Sequence, residues 1–325
     1  MPYNDEEMMK NYIKYLDYFF VLRPTLFFPV WTLGLAGVWA QSRFGAQNTM
    51  FTNDIQIGSI DLTIFLFLGL LTLLMGAVFL INQIEDVESD KLNNKLFLIA
   101  NEDISIRQAY IETFFLIAVP LLIMVWKRID LALLMGLAFF IMGWLYSCRP
   151  VVLKDKPIGG ILPNFIGGYI IFFYGWMIKG YAGIEMIYYA TPYVLGMIGV
   201  YFFTTVPDIE GDKGAKKITI AVKYGANRVI MAGLFMDVLA IIAGILTRDI
   251  VILIPTVLIL PFFINSAITK SNQFVLKTNK FAALFLSLVI CYHFHLYLVL
   301  LVFLYFFSKW YYKKRFNITY PSLRT

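Results

Sequence analysis

The sequence predicts an all-α integral membrane protein with about nine transmembrane helices, and three observations carry that prediction. The 325-residue chain is 60% hydrophobic and 15% charged, against roughly 45–50% and 25% in soluble globular domains. Its apolar residues gather into runs of roughly 16 to 27 residues, the range a helix needs to cross a hydrocarbon core of about 30 Å. The polar connections between them are short, which leaves no room for a separate soluble domain, so residues 1–325 are read as one polytopic domain.

In chain order, Met1 to Lys14 is polar and of mixed charge, too polar for a signal peptide. Tyr12 to Leu22 combines aromatic and aliphatic residues with Lys14 and Asp17, the pattern of an interfacial helix. Arg23-Pro24-Thr25 follows, with Pro24 suited to a first helical turn. Spans are expected at 25–41, 62–81, 109–126, 131–146, 158–178, 188–206, 229–246, 250–268 and 281–307. On alternating sides of these spans, seventeen Lys and Arg fall on one face and five on the other. That bias assigns the richer face to the cytoplasm. The tail cations Lys309, Lys313, Lys314 and Arg315 break the pattern if 281–307 crosses once. Because 27 residues are too few for two crossings, a tail on the opposite side is expected. The net charge of +6 is distributed between apolar runs, which suits anionic lipid headgroups and excludes a nucleic-acid-binding arm. Cys148 and Cys291 suggest neither a disulfide framework nor a zinc site.

The functional signal sits at the ends of two spans. Asn82, Asp86 and Asp90 are spaced i, i+4 and i+8 directly after the run 62–81. On a continuous helix each is rotated about 40° from the last, so all three share one face within about 12 Å of axis. Asp208 and Asp212 follow the run 188–206. Setting residue 86 against 208 aligns Asp-Val-Glu-Ser-Asp-Lys with Asp-Ile-Glu-Gly-Asp-Lys, and the same offset pairs Asn82 with Thr204 and Lys95 with Lys217. A single acidic cluster at a helix end reads as a solvated cap; two with matching spacing at matching places read as functional. Glu85, Glu88 and Glu210 lie off the shared face and are read as solvated.

Carboxylate and amide oxygens so spaced suit Mg²⁺, which takes oxygen ligands, keeps waters and bridges to substrate phosphates. Nearby cations, Lys91 and Lys95, Lys213, Lys216 and Lys217, Arg149 and Lys154, would neutralise a departing diphosphate. An aromatic-rich chamber would suit the allylic cation left behind. Asn164, polar inside the fifth span, is a candidate for lining that chamber. His293 and His295, two apart and lacking a third ligand, read as packing or interhelical polar contacts.

On these residues the chain resembles the UbiA superfamily of intramembrane prenyltransferases. The matching motifs are Asn82-x3-Asp86-x3-Asp90, Asp208-x3-Asp212, Leu-Arg-Pro-Thr at 22–25, and Tyr146-Ser147 followed by Lys154. The resemblance implies one bundle around a central cavity and two Mg²⁺ ions held by Asn82, Asp86, Asp90, Asp208 and Asp212. It also implies a polyprenyl diphosphate donor contacted by Arg23, Lys91, Lys154 and Lys217, with Tyr146 near the reacting carbon. The acceptor would be a lipophilic or aromatic molecule, and the prenyl chain would leave by a lateral opening to membrane lipid. The form around Asn82 is similar to the homogentisate prenyltransferase and chlorophyll synthase side. Cys148-Arg149-Pro150 departs from it, since many relatives have a double proline there.

Two other functions use similar parts. A membrane terpene cyclase would keep the fold without a separate acceptor. A multi-span transporter would also bury polar groups, but near the midplane rather than at span ends on one side.

Overall fold

The computed structural model describes residues 13–45, 60–92 and 98–321, and its long elements are all helices. Near the start of the described residues the single turn α1 (Asp17–Phe20) buries Asp17 and Phe20. Arg23, in the left-handed region at φ 54°, and the Pro24–Leu26 turn redirect it into α2 (Phe27–Phe44). Asp61 caps α3 (Leu62–Glu85) by accepting the Ile64 amide at 2.8 Å, and α4 (Val87–Leu92) follows. A Ser105–Gln108 capping box starts α5 (Ile106–Lys127). Next comes α6 (Ile129–Ala138), which widens into a π-helix over Phe139–Leu145. Then follow α7 (Ile161–Lys179), α8 (Glu185–Thr205), α9 (Ile209–Gly214) and α10 (Ile220–Tyr224). The last four are α11 (Ala226–Thr247), α12 (Ile250–Thr269), α13 (Asn272–His293) and α14 (His295–Phe316). Among the described residues nine helices are long and apolar enough to cross a membrane, counting Ile13–Phe44 as one. The helix Ile129–Leu145, expected as a span over 131–146, is a shorter apolar companion.

The run 281–307 is two helices, which corrects the expectation of one. Phe294 takes φ −132° and ψ 82° and ends α13. The length argument failed because the charged flanks are helical too: Asn272 to Lys280 belong to α13 and Lys309 to Arg315 to α14. His293 and His295 therefore stand on different helices, and the His293 ring lies 5.3 Å from Trp39. With the chain reversed at Phe294, the end of α14 meets α1. Tyr311 donates to Asp17 Oδ1 at 2.6 Å, Arg315 pairs with Asp17 at 3.0 Å, and Phe20 stacks on Tyr311 at 3.6 Å. The Tyr320 and Thr25 hydroxyls are 3.0 Å apart. So the tail lies at the Arg23 end of the bundle, not at the opposite one, and the buried face of the N-terminal helix packs on α14.

Close packing holds the frame. A Cβ on Gly37 would overlap the Phe172 carbonyl oxygen, and one on Gly175 would overlap that of Gly34. Backbone therefore meets backbone between α2 and α7, as small residues permit between membrane helices. This contact places the Arg23 turn and the first turn of α7, which carries Asn164, on opposite walls of one cavity.

Candidate active site

The first acidic stretch keeps its helical path across a joint. Asp86 stands between α3 and α4, yet its amide donates to Asn82 O at 3.1 Å and the Asp90 amide donates to Asp86 O at 2.8 Å. Asn82, Asp86 and Asp90 thus share a face, as i, i+4 spacing requires. Glu85 and Glu88 are exposed, whereas Asp90 is buried. In the second stretch Asp208 is exposed and precedes α9. Asp212 accepts the Thr219 hydroxyl at 2.9 Å.

Two lysines from different loops converge on Asp86. Lys154 Nζ lies 2.8 Å from one carboxylate oxygen, and Lys217 Nζ donates to the other at 3.0 Å. Lys217 also lies 3.8 Å from Asp155, and the Ile218 amide donates to the Asp155 carbonyl at 3.2 Å, joining the two loops. Burial opposes ionisation of Asp86, but Lys154 and then Lys217 outweigh it and hold the carboxyl below its ordinary value. Burial likewise opposes the charge on Lys217, and Asp86 foremost overrides it, raising the ammonium above its usual range. Both groups are therefore charged at neutral pH.

Three residues here occupy the left-handed region without being glycine: Arg23, Val152 and Lys216. Each is, or stands within two positions of, a cation of the cluster. Backbone strain of this kind costs about 1–3 kcal/mol per residue and persists only where surrounding contacts over-determine the chain.

Below the charges lies a cavity of about 190 Å³, lined in part by Arg23, Phe79, Asn82, Met142, Tyr146 and Asn164. Arg23 reaches Asp90 at 3.9 Å. The π-helical turn of Phe139–Leu145 leads directly into Tyr146, and such turns often mark functional positions. Asn82 donates its amide nitrogen to Ser147 at 3.1 Å, which leaves its carbonyl oxygen for another partner.

Of the residues singled out in the sequence, Arg23, Asn82, Asp86, Asp90, Tyr146, Lys154, Asn164 and Lys217 meet around this cavity and its mouth. Asp212 joins them through residues 217–219. Lys91 instead pairs with Glu102 at 3.1 Å, and Arg149 is exposed on its loop. Lys95 lies outside the described residues. Sequence reasoning missed Asp155, Thr219 and the bond from Asn82 to Ser147. A carboxylate between Lys154 and Lys156 was the available signal for the first. Among the described residues no three His, Cys, Asp or Glu converge into a ready-made metal cage.

The fold has relatives among solved structures. A UbiA homologue from Archaeoglobus fulgidus bound to DMAPP and Mg²⁺ superposes with a TM-score of 0.63 at 20% identity, covering 86% of this chain and 98% of that one. An apo UbiA homologue from Aeropyrum pernix K1 gives 0.60 at 17%, covering 84% and 98%. In sequence, the chain is 28% identical over 215 residues to 2-acyl-4-prenylphloroglucinol 6-prenyltransferase of Humulus lupulus, covering 63% of this chain and 52% of that protein. It is 31% identical over 182 residues to homogentisate phytyltransferase of Synechocystis, covering 51% and 57%. A digeranylgeranylglyceryl phosphate synthase of Methanococcus aeolicus matches at 26% over 152 residues, covering 47% and 52%. These matches span about half the length of each curated relative. The model of the UbiA prenyltransferase family covers residues 49–289, the greater part of the chain and both acidic stretches, and the protein belongs to that family.

Proposed function

We infer that the protein transfers a prenyl group from an allylic diphosphate to a lipophilic or aromatic acceptor in a Mg²⁺-dependent reaction. The observation that carries this reading is the pairing of Asp86 with Lys154 and Lys217 at the mouth of the cavity that Tyr146 and Asn164 line. Three curated relatives are named for prenyl transfer to a phloroglucinol, for phytyl transfer to homogentisate, and for synthesis of a digeranylgeranylglyceryl phosphate.

The donor set fits magnesium. Asn82, Asp86, Asp90, Asp208 and Asp212 offer only hard oxygen donors, and the Asn82 amide is already turned with its nitrogen on Ser147. Magnesium binds through one or two carboxylates plus waters and phosphate oxygens, so the lack of a preformed cage suits it. Bound Mg²⁺, two ions on the family pattern, would draw charge from the diphosphate oxygens as the allylic carbon–oxygen bond breaks.

The chain's own residues do the rest. Lys154 and Lys217 present ammonium groups that bind the diphosphate and stabilise the charge it gains as it leaves. Arg23 closes the same mouth from the α2 side. Tyr146, Phe79 and Met142 line the wall where the allyl group lies, excluding water and turning aromatic faces to positive charge. The charge bias of the loops supports a mouth open to the cytoplasm.

The test is inorganic diphosphate release by purified protein from geranylgeranyl diphosphate, with Mg²⁺ or EDTA, against homogentisate, 4-hydroxybenzoate and a glycerophosphate lipid. Release that requires Mg²⁺ and one acceptor is the expected result. Mg²⁺-dependent release without any acceptor would replace transfer with cyclisation or hydrolysis. No release with several donor lengths would overturn the reading.

A further inference from the structure

A second cavity lies deeper in the bundle. It has a volume of about 120 Å³ and is walled by α2, α8, α11, α12 and α13. Its lining runs from Tyr193 to Val200 along α8, a rise of about 10 Å, so the space is elongated along the helices. Most of the wall is aliphatic. Four side chains on it carry oxygens, and three of these are satisfied within the protein. The Tyr193 hydroxyl donates to Asp249 at 2.8 Å, Thr256 donates to Ile252 O at 2.8 Å, and Thr32 bonds Phe28 O, Ser287 and Tyr297.

Asp237 is the fourth. It stands midway along the 22-residue α11 and is 1% exposed, and its Oδ2 has no hydrogen-bond partner. A carboxyl group in hydrocarbon is costly unless paired, and an ionisable residue at membrane depth marks a functional position by default. The cavity is larger than one water needs, and its aliphatic wall offers a water too few partners. A neutral carboxyl presents one donor and one acceptor, which an alcohol or phenol satisfies together. A bare hydrocarbon chain satisfies neither.

We propose that this cavity is a binding site for a slender membrane-soluble molecule bearing one hydroxyl group, which pairs with Asp237. The site is separate from the charged mouth: the upper cavity is lined as far as Leu26, in the turn before α2, and the lower one by Pro29, Thr32 and Leu33 on α2 itself, with no lining residue in common. Occupancy does not require a diphosphate or its ionisation, so binding here stands apart from the proposed reaction.

The experiment measures displacement of radiolabelled 1-hexanol, whose length of about 10 Å suits the cavity, from the full-length protein in lipid nanodiscs by unlabelled 1-hexanol or by hexane, its saturated hydrocarbon. 1-Hexanol should displace at least ten times better than hexane. Asp237→Asn, which keeps a donor and an acceptor, should retain that preference, and Asp237→Leu should abolish it. Asp86→Ala should leave it unchanged, which separates this site from the diphosphate site. Equal displacement by 1-hexanol and hexane in the unsubstituted protein would overturn the proposal, because the cavity would then take hydrocarbon and alcohol alike. A preference that survives Asp237→Leu would overturn it as well, and loss of the preference in Asp86→Ala would assign the binding to the upper cavity.

Discussion

Removing Lys154 and Lys217 separately and together tests whether the two lysines act on one carboxylate. Lys154→Met and Lys217→Met each leave Asp86 with a remaining cation. The side chains are 9%, 19% and 17% exposed for Lys154, Lys217 and Asp86, so each single loss is set at about 1–2 kcal/mol of stability. The double variant takes both ammonium groups from a largely buried carboxylate, which costs about 3–5 kcal/mol. The double loss should therefore exceed the sum of the singles by about 1 kcal/mol, read by reversible unfolding in detergent micelles. The acid side gives an independent sign. In the unsubstituted protein the Asp86 carboxyl is held below its ordinary value, so its contribution is complete above the ordinary carboxylate range. That contribution is lost as pH falls through the folded value. With both lysines gone the two largest influences that oppose burial are removed and the folded value rises, so the loss of stability in acid should shrink. Additive losses within about 0.5 kcal/mol, together with an unchanged acid limb, would refute the shared-carboxylate reasoning.

Asp86→Ala and Asp208→Ala should abolish Mg²⁺-dependent diphosphate release while the protein still elutes as folded material, and Glu85→Ala, at an exposed position, should keep most of the activity. Gly175→Ala pushes a methyl into the Gly34 carbonyl and should cost about 1–3 kcal/mol in thermal unfolding, as overpacking does. Arg315→Gln removes the cation from Asp17, which is 3% exposed. It should lower stability by about 3 kcal/mol, and Asp17→Asn in the same chain should restore part of the loss.

The sequence carried the site further than it carried the helix ends. The repeat of Asp-x-Glu-x-Asp-Lys was legible because helical spacing dictates which residues share a face, and Asn82, Asp86 and Asp90 do. Lys217 was legible through its offset from Lys95. Lys91 and Arg149 were not, because a cation's neighbour in the chain is not its neighbour in space: the 98–104 turn brings Glu102 to Lys91. Asp155 escaped notice for the same reason, since its partner Lys217 comes from a distant loop. The break at Phe294 had no signal either, as it lies in Tyr-His-Phe-His without Gly or Pro. Burial made Asp237 unreadable, because one Asp in an apolar run says nothing about the cavity beside it.

The pairing of Asp86 with Lys217 also bears on how the protein is made. The two residues are 131 positions apart, and a ribosome adding about 5–20 residues per second needs roughly 7–26 s to bridge them. Throughout that interval the carboxylate has no Lys217, and for the first part of it no Lys154. Closing so long a loop is an entropic cost that only later contacts repay. A carboxylate is costly to bury without its cations, so full burial of Asp86 is expected at the last stage of assembly, when the loop after α8 brings Lys217.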